Sequence, residues 1–267
     1  MEQGGISSSD GYKIYNNELL ELVQNSELGV KMGDHLVLSG VGQADDTGLL
    51  ANDLDKLNHL LQLTLSYCTK YNVELSTSKT KLMKISPTRK DTIETFNPVN
   101  IGGQTIKFVD QAEHVGVLRS TEGNMPNILQ RLAAFDKALG AVLSSNPAAS
   151  LRILSTYGTP VLMSGLNSLV LTNNEKYCID QQYKRTIQNI IKLGVNSSPS
   201  VVYFVAGSLP GTAILEMKQL TLFGMVCRLP TNPINIHAKQ ILLSAAASHS
   251  WFGKVRDQGM FQETHQV

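Results

Sequence analysis

Cysteine is scarce. Cys68, Cys178 and Cys227 are the only three in 267 residues, too few and too scattered for a disulfide framework or a zinc knuckle. A reducing, intracellular setting, nucleus or cytoplasm, is the plainer expectation. Charge is also sparse, at 17% of residues against a usual share of about 25%. That argues against a disordered acidic or basic tail. No run of about 18 apolar residues occurs, so no membrane span is expected. The opening MEQGGISSSDG lacks the apolar stretch of a signal peptide. The six histidines, His35, His59, His114, His237, His249 and His265, show no close ligand spacing, and the HExxH pattern is missing. A net charge of +1 gives no general argument for a polyanionic partner.

The hydrophobic share of 42% over 267 residues supplies a sizeable core in one or two domains. The near-neutral average hides a local asymmetry. Residues 1–50 carry eight acidic side chains and two lysines, whereas residues 51–90 carry seven basic and three acidic ones. Such an order could hold cations beside a polyanion, and it equally describes two solvated faces.

Ser9 or Asp10 caps an expected helix from Tyr12 to about Leu28, with Ile14, Leu19, Leu22 and Val23 as a broken apolar stripe and Gly29 as its stop. Val30-Lys31-Met32 then leads through Gly33-Asp34 into a strand from His35 to Val41. Asp45 and Asp46 sit side by side between strand-like segments. Two negative charges in a tight turn need water or a cation to offset them. Magnesium takes one or two protein carboxylates together with phosphate oxygens, and two such ions can clamp a phosphoryl transfer. An Asp-Asp pair is also common in solvated turns.

Asn52 or Asp53 caps the clearest helix. Leu54, Leu57, Leu60, Leu61, Leu65 and Cys68 recur at helical spacing, and the helix ends near Lys70. Asn72–Leu75 reads as the start of a strand, Ser76-Thr77-Ser78 as a turn, and 79–85 as a second strand with Lys79 and Lys81 on one face. A lysine there could meet a phosphate, or simply line a half-exposed strand. After the turn-rich 86–97, Val99–Ile101 and 104–109 form a hairpin across Gly102-Gly103, and 113–118 reads as one further strand.

The order of these pieces carries a resemblance. Gln3-Gly4-Gly5 before a helix, Ala44-Asp45-Asp46 in a hairpin, a second helix, Lys79-Thr80-Lys81, then His114-Val115-Gly116-Val117 resembles a reverse transcriptase palm. The nearest type is that of the non-LTR retrotransposons. The likeness spans residues 2–118. It implies an RNA-directed DNA polymerase, with an RNA template, a DNA primer and Mg2+. It places Gln3, Gly4 and Gly5 against template and nucleotide, Asp45 on the metal and Asp46 as its neighbouring carboxylate. Lys79 falls near the nucleotide phosphates, and His114, Val115 and Gly116 support the primer end. The mechanism implied is attack of a primer 3′-oxygen on the α-phosphate of a deoxynucleotide.

This sequence departs from the family at three points. Gln43 stands where an aromatic or small apolar residue is usual. No proline follows Ile6-Ser7-Ser8. The family's other metal-binding aspartate lies ahead of the Gln-Gly-Gly loop, with the fingers, so the resemblance implies a fragment that misses an upstream segment and is inactive as this chain alone. The second reading is a non-catalytic remnant serving as scaffold or nucleic-acid binder.

The remainder reads as helical: Met125 to about Leu143 with Pro126 in the first turn, Leu151 to about Val170 with an interruption at Tyr157–Pro160, Glu175 to Leu193, and Thr212 to Leu229. These segments resemble the thumb of the same elements. Lys184, Arg185 and Lys192, with Arg119, are candidate backbone contacts or solvated charges. Trp251 and Phe252 read as an anchor for a docked tail. The expected fold class is α+β. Residues 1–120 form a partial palm with an antiparallel sheet and packed helices, 121–195 a thumb-like helical region, and 196–267 a helical extension.

Overall fold

The structure, a computed structural model, describes residues 8–32, 36–85, 99–101, 103–140, 146–228, 251 and 253–255. The chain is mixed α+β with small antiparallel ribbons. It divides into two compact units, Met1–Val115 and Gly116–Val267.

In the first unit, helix α1 spans Ser8–Asn25, so it starts before Tyr12 and stops short of Leu28. The stop is local. Ser26 Oγ donates to the Val23 carbonyl at 2.6 Å, Leu28 N–H donates back to Ser26 Oγ at 3.3 Å, and Glu27 turns left-handed at φ 56°. Gly29 is therefore no helix cap. A Cβ on it would lie 2.2 Å from the Leu38 carbonyl oxygen, so its role is to let two backbones pass.

Strands β1 (Val30–Met32) and β2 (Leu36–Leu38) pair antiparallel; the expected Gly33-Asp34 turn and His35 lie outside the described residues. The single strand expected through Val41 breaks at Ser39. The Gln24 side chain reaches the break, accepting from Ser39 N–H at 3.2 Å and donating to the Val37 carbonyl. The chain then changes partner: β3 (Gly40–Gln43) pairs with β4 (Asp46–Leu49), Gly40 opposite Leu49 and Gln43 opposite Asp46.

Helix α2 spans Leu54–Tyr71. Asp53 caps it by accepting from Lys56 N–H at 2.8 Å, and Asn72 ends it in the left-handed region at φ 53°. Its apolar face buries Leu60, Leu61, Tyr67 and Cys68. Burial pushes the Cys68 thiol up from its ordinary pKa.

The strand expected at 79–85 does not form. Lys79 and Thr80 N–H both donate to the Ser76 carbonyl, at 3.2 and 3.0 Å, and Thr80 Oγ1 adds a third bond there at 2.8 Å. The serine-threonine run thus closes a turn on itself. Only Leu82 makes a bridge, parallel to Phe108. The hairpin β5 (Val99–Ile101) and β6 (Gln104–Ile106) forms as expected, with Gly103 at φ 80° in its turn. Two cores result. One joins Leu61, Leu82, Val99, Ile101 and Ile106; the other joins Leu19, Val23, Leu60 and Tyr67; Leu49 touches both.

The expected single strand 113–118 is two strands, β7 (Gln111–His114) and β8 (Val117–Ser120), joined by Val115 at φ 51° and Gly116 at φ 70°. Two consecutive positive φ values define a tight hairpin-type turn. The unit boundary falls inside it.

The second unit continues from β8 into α3 (Met125–Gly140), α4 (Pro147–Ile153), α5 (Thr159–Met163), α6 (Asn173–Ile191), α7 (Pro199–Ala206) and α8 (Gly211–Arg228). The interruption near Pro160 takes the form of a π-helical turn, Leu154–Gly158. Pro160 has no N–H to donate to the carbonyl four residues back. The wider turn carries the strain, with Thr159 donating N–H and Oγ1 to the Leu154 carbonyl. A capping box starts α6: Thr172 Oγ1 accepts from Glu175 N–H, and the Glu175 carboxylate accepts from Thr172 N–H at 2.7 Å. One core cluster runs from Ile128 and Phe135 through Ile179 and Tyr183 to Val202 and Leu215, so it crosses position 195 without a break. Trp251 Nε1 donates to the Asn167 carbonyl at 3.1 Å and its ring lies 6.5 Å from Phe223. Phe252 lies outside the described residues. Among the described residues no single helix is long and apolar enough to cross a membrane.

Candidate functional site

The β3–β4 ribbon ends in a two-residue turn, Ala44-Asp45, closed by the Gln43–Asp46 pair. Two-residue loops of this kind need a positive φ at their first position, where glycine is the usual occupant. Here Ala44 takes it, at φ 53°, at a cost of about 1–2 kcal/mol for a residue with a Cβ. The turn puts Asp45 at the tip of the ribbon and Asp46 at the first position of β4, both exposed.

Helix α1 lies directly against β3. A Cβ at Gly40 would meet Val23 Cγ2 at 2.8 Å, and one at Gly42 would meet Leu20 Cδ1 at 2.9 Å. Glycine on this face of β3 brings helix and ribbon to backbone distance. That approach lets Asn16, only 8% exposed, reach the turn. Its Nδ2 donates to Thr47 Oγ1 at 3.1 Å and to the Ala44 carbonyl at 3.4 Å. Asn16 was not singled out from the sequence. The available signal was an amide sharing the helical stripe of Leu19, Leu20 and Val23.

His114, at the end of β7, comes to the other strand of the ribbon. Its Nε2 lies 3.9 Å from where a Cβ on Gly48 would sit, and that nitrogen is buried with no hydrogen-bond partner among the described residues. Val115 and Gly116 form the following turn, where Arg131 donates to the Gly116 carbonyl. Lys79 is exposed in the Ser76 turn rather than on a strand, and Lys81 Nζ donates to the Ser78 carbonyl at 3.2 Å. Among the described residues no hydrogen bond or ion pair joins Lys79 to Asp45 or Asp46. Gln3, Gly4 and Gly5 lie outside the described residues. In the second unit Arg185 and Lys192 are exposed and Lys184 half-buried on α6 and its cap, and Arg119 is exposed on β8.

Asp45 and Asp46 fit magnesium by donor chemistry. They are hard, solvent-facing carboxylates of the kind that contribute one or two ligands while water and phosphate fill the rest. No group of three or more His, Cys, Asp or Glu that could hold a metal ion occurs among the described residues. The two carboxylates thus stand as a partial donor set at the end of a ribbon braced by a buried amide. No protein-family model, no curated protein and no solved structure matches this chain.

Proposed function

We propose that this chain is a fragment of an RNA-directed DNA polymerase of the non-LTR retrotransposon type. Residues 1–120 would be part of its palm, and the helices after them its thumb-like region. One observation carries the reading. A helix backs a two-strand ribbon, the ribbon's turn presents Asp45 and Asp46 to solvent, and a second helix follows at once. That order of parts, with the acidic pair at the tip, suits a polymerase palm, where carboxylates must face an open nucleic-acid groove.

In this role Asp45 would hold Mg2+, with Asp46 beside it. The ion supplies charge stabilisation for nucleotidyl transfer. The chain's own residues do the positioning. α1 fixes the ribbon, the turn aims the carboxylates, and His114 flanks β4 where a primer end would rest. Lys79 would neutralise phosphate charge, and Lys184, Arg185 and Lys192 would meet the nucleic-acid backbone without reading sequence.

Primer extension on an RNA template with Mg2+ tests this. The chain alone should give none, because two adjacent carboxylates on one turn hold too few ligands for a two-ion centre. Supplying the upstream polymerase segment in the same chain should produce extension that Asp45→Ala abolishes. Extension by the chain alone that Asp45→Ala removes would refute its fragment status. Upstream-supplemented chain that binds an RNA–DNA duplex but never extends it would favour the non-catalytic reading.

A further inference from the structure

We infer that Asn16 is the positioning residue of the Ala44-Asp45-Asp46 turn, and that its amide is what allows alanine where this turn calls for glycine. The inference rests on the reading of Asp45 and Asp46 as divalent-cation ligands, and it deepens it. Ala44 immediately precedes the acidic pair and Thr47 immediately follows it. Both are acceptors for one group, Asn16 Nδ2, at 3.4 and 3.1 Å. A single buried amide therefore grips the turn on each side of its two carboxylates.

The physical need for the grip is visible in the backbone. Ala44 sits at φ 53°, a conformation that glycine takes freely and alanine resists. Left to itself, an alanine turn would relax toward negative φ and swing the Asp45 carboxylate off its line. The bond to the Ala44 carbonyl opposes that rotation, because the carbonyl direction is set by the same peptide geometry. Thr47 anchors the opposite strand, so the turn cannot slip along β4. The partner side is rigid too. Asn16 is buried, and its helix is seated on β3 at Gly40 and Gly42. Asn16 touches no reacting atom in this arrangement; it acts through Ala44 and Thr47.

The test uses the full chain and Mn2+ as the probe, read by paramagnetic broadening of backbone amides. A second readout is the HN–Hα dipolar coupling of Ala44, measured as its intraresidue NOE, which is strong at positive φ and weak at negative φ. Wild type should show broadening centred on residues 44–47 that Asp45→Asn removes. In Asn16→Ala the Ala44 coupling should leave its left-handed value, and the same broadening should need about tenfold more Mn2+, the equivalent of one hydrogen bond. Asn16→Ala combined with Ala44→Gly should recover the wild-type titration, because glycine holds the turn without the amide. A residue that only packed the helix would give no such rescue.

Should Asn16→Ala fail to fold, Thr47→Val removes one acceptor and leaves α1 unaltered; a smaller shift in the same direction is expected. An unchanged Ala44 coupling in Asn16→Ala, or a loss that Ala44→Gly does not restore, overturns the inference. Wild type without localised broadening, or broadening that survives Asp45→Asn, overturns the metal reading instead. The Ala44 coupling then decides the role of Asn16 by itself.

Discussion

Gly40 and Gly42 lie two residues apart on the same face of β3, yet alanine at the two should have unequal consequences. At Gly40 the new Cβ meets Val23 Cγ2 at 2.8 Å, and Val23 is fully buried at 0% exposure. A valine in a helix has one strongly preferred rotamer, so it cannot swing clear and the helix itself must move. Overpacking of this kind costs about 1–3 kcal/mol. Replacing glycine also stiffens the unfolded chain, which returns about 0.4–1 kcal/mol. Taking the middle of both ranges, the net for Gly40→Ala is a destabilisation of about 1.3 kcal/mol. At Gly42 the Cβ meets the far end of Leu20, Cδ1 at 2.9 Å. Leu20 is only half-buried, and its terminal methyl groups can turn aside. Gly42→Ala should therefore fall within about 0.5 kcal/mol of wild type, on either side. Urea-dependent hydrogen exchange at the α2 amides of Leu60 and Leu61 isolates the first unit. Equal losses for the two variants, or a larger loss at Gly42, would show that β3 does not carry α1 at Gly40.

Two further outcomes follow from caps and charges. Glu18 accepts from Lys70 Nζ at 2.9 Å and from the Tyr71 hydroxyl, and those bonds, the one from Lys70 first, hold its carboxyl below the ordinary 4.5. A lowered folded value gives stability that is complete above the unfolded value and lost as pH falls through the folded one. Urea midpoints followed from about pH 6 to about pH 3 should thus fall more steeply in wild type than in Glu18→Gln, and equal slopes would refute it. Thr172→Ala removes half of the α6 capping box and should cost the second unit about 1 kcal/mol; a loss under about 0.3 kcal/mol in urea unfolding followed by Trp251 fluorescence would contradict the capping geometry.

Much of this architecture was legible where local chemistry decides. The leucine spacing of α2, its Asp53 cap and the Gly102-Gly103 hairpin each rest on residues close in sequence. The acidic pair in a ribbon was legible for the same reason. What escaped depends on distant partners or on unusual backbone. Val115 hid a turn because a β-branched residue is seldom found at positive φ, so the run around it read as one strand. The alternating Lys79-Thr80-Lys81-Leu82 pattern imitated a strand, but the Ser76 carbonyl collects three bonds and closes a turn first. Asn16 contacts residues 28 and 31 positions away, and nothing adjacent to it announces that contact.

The two faces of α1 also bear on where chemistry belongs. A cavity of about 360 Å³ in the first unit is lined by Glu18, Glu21, Leu22 and Asn25 of α1 and by Ser66, Tyr67 and Lys70 of α2. A small-molecule enzyme would place its site in a concave hollow. Yet the residues that line it belong to two helices alone, and its cation, Lys70, is already paired with Glu18 at 2.9 Å. The residues on the other side of α1, Asn16, Leu20 and Val23, are the ones spent on holding the ribbon. A binding pocket would need no such bracing of an exposed turn. An open groove that receives a polymer does, because its carboxylates must stay aimed without walls around them. On the proposed polymerase reading, the division of labour on α1 therefore favours the turn over the cavity as the place where nucleic acid would be met.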